Sequence, residues 1–197
     1  MKGNLALFDF DGTITTKDTL LEFIKFYKGT VPFYKGLLLL SPMLVLFKLK
    51  FIRNWRAKEI MLSFFFSGTP VEDFDAKCVL FAEKIIPSLI RPNALRHLKE
   101  HQQNGDKVVI VSASTENWIK PWANSLGVDL IGTLLEVTDG KITGKIKGRN
   151  CYGAEKVVRV KEYLKGETYD HIYAYGDSSG DNELLKYATH PHYRYFH

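Results

Sequence analysis

Leu5-Ala6-Leu7-Phe8-Asp9-Phe10-Asp11-Gly12-Thr13 is a short apolar run that ends in two carboxylates one residue apart. Near-continuous apolar residues stopped by a glycine turn read as a strand buried on both faces, as in the parallel sheet of an α/β protein. Asp9 and Asp11 therefore stand at the carboxyl-terminal edge of a strand, where open α/β sheets bind ligands. Two anionic side chains this close repel unless a cation joins them or one is protonated. The pair points to chemistry.

Outward from this strand the pattern first turns helical. Thr15 to Tyr27 carries Leu20, Leu21, Ile24 and Phe26 at helical spacing, with Thr16 or Asp18 as the cap. Val31 to Ile52 is rich in Leu and Phe, and Gly36 to Phe47 holds no charge between Lys35 and Lys48, Lys50 and Arg53. That uncharged stretch is shorter than the ~20 residues a spanning helix needs, and Pro42 interrupts it. A buried helix is the expectation and a membrane-surface helix the alternative. Arg56 to Phe66 and Val71 to Ile86 continue the helical pattern.

After Pro92, helices and strands alternate. Ala94 to Gln103 is a helix ended by Asn104-Gly105, Lys107 to Val111 a β-branched strand with Ser112 at its end, and Thr115 to Leu126 the next helix. Asp129 to Val137 and Lys141 to Ile146 flank Thr138-Asp139-Gly140 as a hairpin. Gly153 to Leu164 is helical, His171 to Tyr175 a strand, and Gly176-Asp177-Ser178-Ser179-Gly180-Asp181 leads into a helix from Asn182. The predicted fold is a doubly wound, Rossmann-like parallel sheet with an inserted all-helical cap. Residues 1–14 and 89–197 form the α/β core in this reading, and residues 15–88 the cap.

Composition narrows the function classes. The 197 residues are 45% hydrophobic, 13% aromatic and 25% charged, a profile that argues against disorder. The net charge of +5 comes from scattered basic residues, not from the dense block a nucleic-acid partner would select. Cys78 and Cys151 are too few for a disulfide framework, and no secretory signal precedes the first strand, so a reducing cytoplasm is expected. The histidines lack the spacing of a metal site or triad, and no Gly-x-Ser-x-Gly elbow surrounds Ser112. Trp55, Trp118 and Trp122 read as packing residues.

Three strand ends thus bring polar groups to one edge: Asp9 with Asp11, Ser112, and Asp177 with Asp181. Clustered carboxylates suit a hard cation such as Mg²⁺, and such a cation makes phosphate the natural substrate group. Ser112 and the amides after it, with Lys156 from the helix following Gly153, would bind phosphate oxygens. Each residue has a plainer reading. Asp11 fits a turn, Asp177 and Asp181 fit helix caps, and Lys156 fits a solvated surface.

Taken in order, Asp9-Phe10-Asp11-Gly12-Thr13, Val109-Ile110-Val111-Ser112-Ala113-Ser114, Lys156 and Gly176-Asp177-Ser178-Ser179-Gly180-Asp181 resemble the four motifs of the haloacid dehalogenase superfamily. The early helical insertion and the stretch Asp139 to Lys156 are similar to its phosphoserine phosphatase-like subfamily. The resemblance implies that Asp9 attacks phosphorus and that Asp11 acts as general acid and base. It implies that Asp9, the Asp11 backbone carbonyl and Asp177 hold Mg²⁺, and that Asp181 orients Lys156 or a bound water. Gly12, Ser112, Ala113 and Lys156 would cradle the phosphoryl group. The expected substrate is a small phosphomonoester. A lipid-phosphate phosphatase of the phosphatidylglycerophosphate type, a phosphotransferase and a noncatalytic phosphate-binding module are the alternatives.

The sequence departs from the subfamily pattern at substrate-facing positions. Asp18 stands where a glutamate for a substrate ammonium is usual, Arg53 and Arg56 are the nearest counterparts of a cap arginine, and Gly180 replaces an asparagine. Asp18, Arg53 and Arg56 are the candidate specificity residues.

Overall fold

The computed structural model describes residues 3–197. Its strands are β1 (Asn4–Phe8), β2 (Lys107–Thr115), β3 (Asp129–Thr138), β4 (Lys141–Lys147), β5 (His171–Gly176) and β6 (His190–Tyr193), joined in one sheet of order β4-β3-β2-β1-β5-β6. Between β1 and β2 lie α1 (Thr19–Lys28), α2 (Thr30–Leu39), α3 (Ser41–Lys48), α4 (Asn54–Phe66), α5 (Val71–Lys84), α6 (Ile86–Leu89) and α7 (Pro92–Gln103). Later come α8 (Glu116–Ser125), α9 (Ala154–Leu164) and α10 (Asn182–Tyr187).

β1 lies parallel between β2 and β5, and β3 pairs in parallel with β2 and antiparallel with β4. The hairpin turn places Asp139 and Gly140 both at positive φ, as a tight primed turn demands. Alternate strand residues feed opposite faces. Leu5, Leu7, Val109 and Val111 pack with Val160, Leu164 and Leu184 from α9 and α10, while Ala6, Phe8, Val108 and Ile110 share a cluster with Leu98 of α7 and Ile119 of α8. Helices on both faces explain why these strands read as unbroken apolar runs.

The inserted helices leave and rejoin the sheet side by side. Thr15 bridges Ile90, the Thr16 amide donates to the Leu89 carbonyl at 2.8 Å, and the Arg91 amide to that of Ile14 at 2.8 Å. α1 starts at Thr19 and not at Thr15, because the Asp18 carboxylate accepts from the Leu20 and Leu21 amides and sets the cap there. Phe23 of α1 stacks on Trp118 of α8 at 4.9 Å and meets Phe81 of α5 edge-on at 5.2 Å. The insertion thereby shares the core of one sheet face.

The Leu-rich segment departs from the expected buried helix. It breaks at Leu40 into α2 and α3, bent by 63°, with Pro42 in the first turn of α3. Phe33, Gly36 and Leu40 face inward, and a Cβ on Gly36 would enter the ring of Phe65 on α4. No residue of α3 is buried, and Leu38, Leu39, Leu49 and Phe51 are exposed. α4 offers room for one stripe of α2, and the remaining apolar surface is left outside. Trp118 and Trp122 are buried as expected, but Trp55 is exposed.

One further element differs from the sequence reading, and one stands where that reading assigns none. β2 continues past Val111 to Thr115 with a register shift against β3, so Ser112 lies within it. The aromatic tail supplies β6, an edge strand parallel to β5 in which Pro191 faces Ala174. An edge position tolerates the missing proline N–H. His192 stacks on Tyr175 at 4.7 Å, and Phe196 packs on the same ring at 5.2 Å. Cys78 and Cys151 are buried free thiols.

Candidate active site

The carboxyl-terminal ends of β1, β2 and β5 meet around one ammonium group. Lys156, in the first turn of α9, is almost fully buried, and its Nζ donates to Asp9 Oδ1 at 2.6 Å, Asp181 Oδ1 at 2.6 Å and the Val111 carbonyl at 2.8 Å. Those three bonds use every proton the ammonium has. Asp181 spends its other oxygen on its own loop, accepting from the Asp177 amide at 3.2 Å, the Ser178 amide at 3.1 Å and Ser178 Oγ at 2.9 Å. This grip presents Asp177 to the cleft. Gly12, at φ +83°, allows Asp177 to approach, because a Cβ there would collide with that carboxylate.

Asp9, Asp177 and Asp181 each offer an oxygen, and the three oxygens lie within 4.8 Å of one another. The electrostatics are those of a site rich in carboxylate. Burial pushes Asp9 up to about 7, outweighing the attraction of Lys156. Burial, with the neighbouring charge of Asp181, also raises Asp177. Burial opposes the Lys156 charge, but Asp9 and Asp181 outweigh it and hold the ammonium above its ordinary range. Hard oxygen donors with a surplus of negative charge fit Mg²⁺ in donor type.

Asp11 is held separately. Its Oδ1 accepts from the Thr19 amide at 2.7 Å and its Oδ2 from the Ser114 hydroxyl. Burial and then the nearby Asp18 push it up to about 6, with both hydrogen bonds pulling the other way. A carboxyl group that titrates near neutrality is suited to proton transfer.

The cleft has a volume of about 350 Å³ and is lined by Asp9, Asp11, Gly12, Asp18, Ala113, Lys156 and Asp177, among others. Ser112 lies beneath it, fully buried, its Oγ accepting from the Ser114 amide at 3.0 Å. Ser112 thus shapes the loop while Ala113 and Ser114 face the cleft. Neither candidate arginine lines it. Arg56 is paired with Glu59 at 3.3 Å on the exposed side of α4, and Arg53 lines an adjoining groove of about 680 Å³ with Trp55 and Arg149. Asn54 and Tyr152 line both spaces and connect them.

The inserted helices instead bring Lys58 to the cleft, beside Lys17 of the preceding loop; the Lys58 Nζ donates to the Ala113 carbonyl at 2.6 Å and to Asn150 Oδ1 at 2.9 Å. Burial lowers it to about 8. In sequence Lys58 is one more lysine on an amphipathic helix, with no local signal to single it out. Thr19 and Ser114, which grip Asp11, and Tyr152, whose ring fills the space beside Gly180, are likewise given no role by the sequence reading. A Cβ at position 180 would meet the Tyr152 ring.

A family model described as haloacid dehalogenase-like hydrolase matches residues 6–186. Protein CicA of Caulobacter vibrioides is 40% identical over 195 residues, covering 98% of this chain and 86% of that protein. Histidinol-phosphatase of Neisseria meningitidis is 35% identical over 117 residues, covering 56% of this chain and 52% of that enzyme. Phosphoserine phosphatase in its apo form shares the fold, with a TM-score of 0.66 at 21% identity over 94% of this chain and 83% of that one.

Proposed function

The chain belongs to the haloacid dehalogenase-like hydrolase family, and from that premise we propose that it is a Mg²⁺-dependent phosphomonoester phosphatase that works through an aspartyl-phosphate on Asp9. One observation carries this reading: the Lys156 ammonium joins Asp9 to Asp181 beside Asp177, gathering four distant chain segments around a single point. A buried ion network of this kind is weak evidence for stability alone, and its position at the sheet edge suits catalysis.

In the first step an Asp9 carboxylate oxygen bonds to phosphorus as the bond to the leaving oxygen breaks, and Asp11 gives that oxygen its proton. In the second, water attacks the phosphoryl group, Asp11 takes the proton, and Asp9 is released. Asp9, Asp177 and the Asp11 backbone carbonyl would hold Mg²⁺, which when bound neutralises charge between carboxylate and phosphate. Lys156 keeps Asp9 ionised and oriented, and Asp181 orients Lys156. Gly12, Ala113 and Lys58 would face the phosphoryl oxygens, with Ser112 fixing the loop beneath. We take residues 15–88 as the cap over residues 1–14 and 89–197, and a small phosphorylated metabolite as the substrate suited to the cleft. Asp18, with one oxygen committed to its helix cap, keeps the other for the leaving group.

A panel of phosphomonoesters assayed with and without Mg²⁺ tests this reading. Chelation is expected to abolish phosphate release and Mg²⁺ to restore it; release that survives chelation would refute the metal requirement.

The position of Lys58 adds a pH dependence. Its ammonium is present below about 8 and lost above it, so phosphate affinity contributed by that charge disappears as pH rises. kcat/KM is expected to fall on the alkaline side with an apparent pKa near 8. Lys58→Arg should move that limb upward, since guanidinium stays charged. An unchanged limb would show that Lys58 does not meet the phosphate.

A further inference from the structure

The exposed apolar surface of α2 and α3 has no partner among the described residues. Val31, Leu38, Leu39, Val45, Leu49 and Phe51 are each more than half exposed. Isolated surface leucines need no explanation, but six exposed apolar side chains within residues 31–51, on α2, α3 and the turn that follows, mark an interaction surface. A helix apolar all round is ordinarily covered on every side; α2 is covered on one, where Phe33, Gly36 and Leu40 face inward.

The charges within this segment have one sign. Between Glu22 and Glu59 the sequence has no Asp or Glu, while Lys25, Lys28, Lys35, Lys48, Lys50 and Arg53 all fall in that interval. A second copy seated face to face on this surface would bring the same cations together with no acid from the segment to answer them. An occupant with apolar depth and a negative surface is what the patch complements.

We propose that α2 and α3 dock the protein onto an anionic phospholipid bilayer, with their apolar residues at the acyl boundary and the flanking lysines and Arg53 at the head groups. The helices lie along the surface and do not cross it. No single helix among the described residues is long and apolar enough to span, and Gly36 pins α2 against the Phe65 ring of α4. The adjoining groove lined by Arg53 and Trp55 opens beside the same face, since Arg53 follows Phe51 by only two residues.

Docking does not depend on the catalytic scheme, and flotation separates the two. The full chain is expected to float with vesicles of phosphatidylcholine and phosphatidylglycerol, to float less with phosphatidylcholine alone, and to be partly released by salt. Leu38→Glu with Phe51→Glu should abolish flotation, and Lys48→Glu with Lys50→Glu should weaken partitioning by at least about tenfold. Both variants should hydrolyse a soluble phosphomonoester at the wild-type rate and keep the wild-type circular dichroism spectrum. A wild-type chain left in the dense fraction with anionic vesicles overturns the proposal. So does a stable dimer in solution that Leu38→Glu with Phe51→Glu dissociates, which would assign the face to self-association.

Discussion

Asp9→Asn is expected to lower kcat by at least about 10⁴-fold, the order lost when an enzyme loses its nucleophile, while the fold persists. The exchange is isosteric, and the amide oxygen can still accept from Lys156, so the network loses a charge and keeps its shape. Because burial disfavours the charged form at this position, the neutral side chain costs folding little, and the melting temperature should move by no more than about 4 °C. Turnover of a soluble phosphomonoester at saturating Mg²⁺ reads the first effect and thermal denaturation the second. Acid quenching during turnover should trap covalent phosphate on the wild-type chain and none on the variant. Turnover within a hundredfold of wild type, or equal trapping, would exclude Asp9 as the nucleophile.

Asp9 was readable because its signal is local. An apolar strand, a glycine turn and two carboxylates sit in one nine-residue stretch, and the strand before Asp177 likewise ends in a glycine and two carboxylates, Gly176, Asp177 and Asp181. Physical constraints on parallel sheets then bring those strand ends to one edge. What the sequence reading missed depends on contacts between distant segments. Lys58 reaches the cleft because α4 packs over Ala113 and Asn150, while Arg53 and Arg56, a few residues earlier on the same chain, point elsewhere. Nothing in a helical period distinguishes them. The exposure of α2 and α3 was illegible for a different reason: an all-apolar helix has the same pattern whether protein or another phase covers it. No element is assigned to the tail from sequence; Pro191 weakens any strand signal there, and the edge position of β6 accommodates it.

Lys156→Met is the change expected to damage stability and activity together, and its partners explain how to separate them. Methionine fills much of the same volume, but two buried carboxylates and the Val111 carbonyl lose their donor. Removing one side of a buried ion network typically costs about 3–5 kcal/mol, which corresponds to a melting temperature roughly 10 °C lower in a chain of this size. The deficit has a sign in pH when divalent cations are withheld. Asp9 already titrates above its ordinary value of 3.8, at about 7, and without Lys156 it must titrate higher. A group raised in the folded state binds more protons there than in the unfolded chain, so its penalty is absent at low pH, grows between the unfolded and folded values and levels off above the folded one; a still higher value in the variant therefore adds penalty only above about 7. The variant should therefore lie closer to wild type at pH 5 than at pH 8. Adding Asp181→Asn removes one of the stranded charges and should recover part of the lost stability with no return of turnover, because Asp9 would still lack the cation that holds it ionised. Recovery of activity in that double variant would mean that Lys156 serves folding alone; a melting temperature unchanged by Lys156→Met would mean that the three-way bridge is not formed in solution.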